Sequence, residues 1–165
     1  MTASAARPRR ATGPAHWFAD PRSLARAARL PAAAPRDLLG RAAFAAAEAL
    51  FATDAGPPPA ERLVWLVTEL RAHLGPIGLR SRAVVLASLA AATVLAPWLA
   101  GRVGPLERLP VSERVAALER LERSPLGLSV FALKATLAIL YFEHPDAAAE
   151  IGFDGRGLGR RGAGA

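Results

Sequence analysis

Residues 83–99 read AVVLASLAAATVLAPWL, a run that is apolar apart from Ser88 and Thr93 and is flanked by Arg80, Arg82 and Arg102. A helix made from it has no polar face for solvent, so it belongs inside a bundle or inside a bilayer. Length argues for the bundle. Only 14 residues separate Ala83 from Pro97, whereas a span needs ~20. Pro97 is expected to kink or close the helix. Ala87, Ser88, Ala90, Ala91 and Ala92 let neighbours approach closely. The run therefore reads as the central helix of a small all-α bundle of about five helices.

The other helices are placed around it. The first runs from about Asp37 to Thr53, with Leu39, Ala43, Ala46 and Leu50 on one side and Phe44 and Phe51 beside them. Gly56-Pro57-Pro58-Pro59 ends it. The second, about 59–74, is amphipathic: Leu63, Leu66, Val67, Leu70 and Leu74 share a face while Glu61, Arg62, Glu69 and Arg71 point away. Gly75-Pro76 stops it, and Ser81 is a plausible N-cap for the central helix. Residues 101–110 read as a turn with Leu106 and Leu109 pinned to the bundle. A fourth helix, about 112–123, buries Val115, Leu118 and Leu121 and exposes Glu113, Arg114, Glu119, Arg120, Glu122 and Arg123. Ser124-Pro125 opens a fifth, about 125–142, nearly as apolar as the central one. Lys134 in its middle argues against a span and is expected to snorkel or to pair with a carboxylate.

At 165 residues the chain is one domain by length. Apolar types make up 52% of it, but alanine supplies much of that and buries little area, so Leu, Val, Ile and the aromatics must pack the core. The net charge of +7 divides unevenly. Residues 1–36 carry seven Arg against Asp20 (+6), residues 37–150 carry eleven basic and twelve acidic groups (−1), and residues 151–165 carry three Arg against Asp154 (+2). The expected organisation is a largely disordered arm over 1–35, a bundle over 36–153 and a flexible Gly/Arg tail over 154–165. A near-neutral folded part lacks the basic stripe of a nucleic-acid binder. Arg9-Arg10 is not followed by an apolar segment, so no export signal is expected and the cytoplasm is the expected compartment. Trp17-Phe18 reads as a pair of aromatics tucked onto the bundle, with a docking segment as the other reading.

Reactive groups are sparse. There is no cysteine, which removes thiol chemistry and cysteine metal sites. His16, His73 and His144 lie far apart, none with a partner one helical turn away, so no metal site is expected. Gly157-Leu158-Gly159-Arg160-Arg161-Gly162 fits G-x-G-x-x-G but has no room after it for the helix that such a fingerprint needs. Gly127-Leu128-Ser129 has Phe131 where a nucleophile elbow has glycine, so Ser129 reads as a small contact residue. No carboxylate pair sits on an apolar face. The expectation is a chain with no catalytic, cofactor-binding or metal-binding residues.

From Ser81 to Gly155 the order of landmarks carries a resemblance. SRAVVLASL is followed by PLERLPVSERVAALERLERS and then by FALKATLAILYFEHPDAAAEIGFDG. This pattern resembles the small helical subunit of glucose–methanol–choline (GMC) type flavin dehydrogenases, the group that includes gluconate 2-dehydrogenase subunit 3. It is similar too to the helical N-terminal domain of long-chain alcohol oxidases. Arg114, Lys134, Tyr141, Phe142, Gly152 and Gly155 match recurrent positions, and Phe153 stands where tyrosine is usual. The resemblance implies a non-catalytic accessory subunit bound to a GMC-type large subunit that holds FAD and oxidises an alcohol, sugar or sterol. Trp65, off the main stripe of its helix, is the candidate partner contact, together with Tyr141, Phe142 and Phe153. The alternative is a peripheral membrane or lipid-binding bundle with basic arms; a tail-driven nucleic-acid binder ranks below both.

Overall fold

The computed structural model describes residues 30–152, so Trp17-Phe18, Phe153, Gly155 and the Gly/Arg-rich tail lie outside the described residues. Within them the chain forms the expected all-α bundle. Its helices are α1 (Leu38–Leu50), α2 (Ala60–Leu74), α3 (Leu79–Leu99), α4 (Val111–Glu122), α5 (Gly127–Glu143) and α6 (Pro145–Glu150), with a 3-10 turn at Leu106–Arg108. Helix α6 follows the fifth and last helix that the sequence led one to expect. His144 makes the difference: its ring accepts the amide of Asp146, and Pro145 takes the first helical position, where a missing N–H costs nothing.

The centre of the bundle is α1 and not the 83–99 run. Every residue from Ala42 to Leu50 is buried, and α1 packs against α2, α3, α4 and the 3-10 turn. Alanine explains this. A helix with small side chains all round can be approached on all sides, and Phe44 and Leu50 then fill the gaps between its neighbours. Asp37 caps its start by accepting the amide of Gly40 at 2.9 Å, a bond that holds the Asp37 carboxyl below the usual carboxylate range. Arg71 of α2 clasps the same carboxylate. A Cβ on Gly40 would lie 2.5 Å from both Arg71 and Pro35, so glycine is what lets this crossing close.

Helix α3 buries one face only. Val85, Ser88, Leu89, Ala92, Thr93, Ala96 and Pro97 point inward, while Val84, Val94 and Trp98 are open to solvent. Apolar composition set an expectation of full burial, but buried residues are apolar far more reliably than apolar residues are buried. Nor does Pro97 close the helix. A π-helical turn at Ala91–Leu95 precedes it, with the Ala96 amide reaching back to the Ala91 carbonyl. Pro97 has no N–H to give the carbonyl four residues back, and the widened turn accommodates its ring so that the chain continues to Leu99. Gly78, rather than Ser81, occupies the cap position.

The segment after α3 turns at Gly101 with φ +72°, a conformation that suits glycine. Leu106 and Leu109 are buried, as expected of the pinned leucines. Ser124 shapes the α4–α5 corner by donating to the Leu121 carbonyl and accepting the Leu126 amide. Helix α5 then starts at Gly127, where a Cβ would sit 2.2 Å from the Glu122 carbonyl oxygen. The expected start at Pro125 is therefore displaced by two residues. Helices α3 and α5 lie against each other.

Candidate functional site

Two adjoining helices present unpartnered apolar surface. On α3 the exposed positions Ala83, Ala87, Ala90, Val94 and Trp98 recur at steps of three and four, so they form one stripe. On α5, Leu128, Phe131, Ala135 and Ile139 do the same. Trp98 is 72% exposed and Phe131 65%. No charged residue lies between Arg82 and Arg102 on α3, and Lys134 is the single one between Gly127 and Ile139 on α5. Lys134 pairs with Glu122 at 2.8 Å at the edge of the surface, as its position led one to expect. Beside Trp98, Val94, Leu95 and Pro105 help line a hollow of about 420 Å³. Beside Phe131, Leu50, Phe51 and Ala138 help line a groove of about 320 Å³. Covering one such side chain completely is worth ~1.5–3 kcal/mol.

The aromatic residues singled out in the sequence lie elsewhere. Tyr141 is buried, which removes it from the surface. Its ring stacks on Phe51 with centroids 4.1 Å apart, and its hydroxyl accepts from Arg62 at 2.8 Å. Phe142 is half-buried and meets both rings edge-on. Trp65, also half-buried, packs on the core and meets the His144 ring edge-on at 4.9 Å. Phe153 is outside the described residues. The Trp65–His144 contact joins α2 to the start of α6, and Arg62 fastens the two with two 2.9 Å bonds to Glu150.

Arg62 was expected to face solvent and is buried. The signal for it was present: Arg62 is four residues before Leu66 and eight before Leu70, both core residues. Its hydrogen bonds lower the Glu150 carboxyl below its ordinary range. The stabilisation from that pair is therefore complete above the ordinary carboxylate range and is lost as pH falls through the lowered value. Acidification is expected to release α6 while α4 stays folded, read as a fall in amide protection factors confined to 146–150. Glu150→Gln should show the same exchange at neutral pH and little further change in acid. Equal protection of α6 at neutral and acid pH would sink this.

A second buried cation joins a different set of elements. Arg114, expected on the exposed side of α4, is wholly enclosed. It donates through Nε to the Leu109 carbonyl at 2.7 Å, through one terminal nitrogen to Glu48 of α1, and through the other to the Glu107 carbonyl at 3.4 Å. Burial raises the Glu48 carboxyl and lowers the Arg114 guanidinium, and each charge opposes the shift of the other. The contacts make Arg114 a fastener of the 3-10 turn and α4 to α1.

Among the described residues no group of three or more His, Cys, Asp or Glu side chains is placed to hold a metal ion. No family model, curated protein or solved structure matches the chain.

Proposed function

We propose that the chain is a non-catalytic accessory subunit that docks on a larger protein through the outward faces of α3 and α5. One observation carries this reading: Trp98, Val94, Leu128, Phe131 and Ile139 stand exposed on adjoining helices with almost no charge among them. Exposed apolar surface of this kind is characteristic of binding faces, and aromatic anchors commonly supply most of an interface's energy. The anchors in this reading are Trp98 and Phe131. The resemblance of residues 81–155 to GMC small subunits supplies the partner class: a flavoprotein that carries FAD and oxidises an alcohol, sugar or sterol. The subunit's part is to cover apolar surface on that protein, stabilising it or shaping its substrate entrance.

A second reading has its own observation. Because Pro97 does not end α3, the helix runs 21 residues from Leu79 to Leu99, and only 39% of its most apolar stretch is buried. At 1.5 Å per residue that is roughly the thickness of a bilayer's hydrocarbon core. A lipid surface is thus the competing occupant of the same face.

Co-expression with the neighbouring reading frame, where that frame encodes a GMC-type flavoprotein, tests the first reading. The expected result is a yellow complex that co-elutes and survives roughly 1 M salt, where charges are screened beyond ~3 Å. Separate elution overturns it. Flotation with vesicles that persists at the same salt would favour the lipid surface.

A further inference from the structure

A cleft of about 730 Å³ lies well apart in character from the apolar face, between the segment that leads into α1 and the 3-10 turn. Pro31 and Pro35 form part of its wall, and its polar lining consists of Arg36, Arg41, Arg108 and Glu107. Three arginines and one carboxylate thus share the lining. Arg36 and Arg108 are exposed, whereas Glu107 is only 6% exposed. One Glu107 oxygen, Oε1, lies 3.5 Å from Arg41. The other, Oε2, is buried and has no hydrogen-bond donor among the described residues. The neighbouring Arg114 makes its hydrogen bonds to Glu48, the Leu109 carbonyl and the Glu107 main chain.

A buried carboxylate oxygen without a donor is costly, and the cost is recovered when a donor arrives. An ammonium is the strongest such donor, because the bond is charge-assisted. The surrounding arginines favour the opposite charge, a carboxylate or phosphate gripped by guanidinium forks. Since Arg41 and Glu107 are neighbours, the two ligand groups must be separated by only a few bonds. We propose that this cleft binds a small zwitterionic molecule, its anionic head on Arg36, Arg41 and Arg108 and its ammonium on the Glu107 carboxylate, whose side chain turns Oε2 into the cleft to meet it. The site is independent of the docking face and stands or falls without it.

Calorimetric titration of the full chain with three probes tests this. O-phosphoethanolamine carries ammonium and phosphate, β-alanine carries ammonium and carboxylate, and inorganic phosphate has the anion alone. One of the two ammonium-bearing probes should saturate a single site at least about tenfold more tightly than inorganic phosphate, the gain expected of one charge-assisted hydrogen bond. Which of the two binds better identifies the anionic head. Glu107→Gln should weaken that probe about tenfold and leave inorganic phosphate no weaker than before. Because Glu107 is buried, the exposed pair Arg36→Ala and Arg108→Ala provides a second arm, expected to weaken every probe with the fold intact. Equal affinity for phosphate and the ammonium-bearing probes, absence of saturation in the millimolar range, or indifference to all these substitutions overturns the proposal.

Discussion

Replacing Arg114 by alanine is expected to cost about 3–5 kcal/mol of folding stability, the range found when one partner of a buried ion pair is removed. The side chain is wholly enclosed, and its loss leaves Glu48 charged inside the alanine-rich centre of the bundle. It also strands the carbonyls of Leu109 and Glu107 at the turn. For a domain of this size a deficit that large should lower the melting temperature by more than ~10 °C. Most of the cost comes from the abandoned carboxylate and not from the lost attraction, which gives two further expectations. Replacing both partners, Arg114→Met with Glu48→Ala, should be less destabilising than Arg114→Ala alone. Acid should narrow the deficit too. Without the guanidinium, burial raises the Glu48 carboxyl further, so it takes up a proton in the folded state more readily than in the unfolded chain. Stability of the variant then falls as pH rises through that window and recovers as pH drops. Urea titrations of the three proteins at about pH 5 and about pH 8 measure all of this; a single-variant loss under ~1 kcal/mol would show the pair to be solvated.

The all-helical architecture was readable because each helix is bounded by chemistry that acts locally. Gly56-Pro57-Pro58-Pro59 and Gly75-Pro76 fall between helices as expected, while Leu109-Pro110 precedes α4 and Pro145 opens α6. Amphipathic α2 and α4 were readable from spacing, since their leucines recur on one face. What spacing did not reveal was which arginines join that face. Arg114 falls in register with Val111, Leu118 and Leu121, all buried. Charge was taken as a mark of solvent, yet α1 supplies Glu48, and that long-range partner is invisible in the local pattern. The identity of the central helix was hidden for a related reason. Burial depends on how many neighbours can surround a helix, and small side chains decide that as much as greasy ones do. Helix α1 therefore displaced 83–99 from the centre, leaving the most apolar run half outside. Tyr141 was legible as a landmark but not as a core residue, because its stacking partner Phe51 lies ninety residues earlier in the chain.

The second large effect is expected at the surface. Trp98 and Phe131 are mostly exposed, so Trp98→Glu and Phe131→Glu should each leave folding stability within about 0.5 kcal/mol. If the outward faces of α3 and α5 are the docking surface, each change should nevertheless weaken partner binding by about thirtyfold or more, as loss of an anchor worth ~2 kcal/mol or more requires. Tyr141→Phe is the matched control. It removes the hydroxyl that Arg62 donates to, deep in the bundle, so it should lower stability and spare affinity. A protein partner and a lipid surface then separate on shape. Phe131→Leu and Trp98→Leu keep the face apolar but empty the space a fitted socket would enclose. A bilayer, which has no fixed shape, should tolerate both, whereas a protein socket should lose much of its affinity. Binding measured for each variant and for the double variant locates the contact. Coupled losses mean that one partner spans both helices, and a loss at one position alone confines the contact to that helix. Unchanged affinity in both glutamate variants means that the partner does not sit on this face at all.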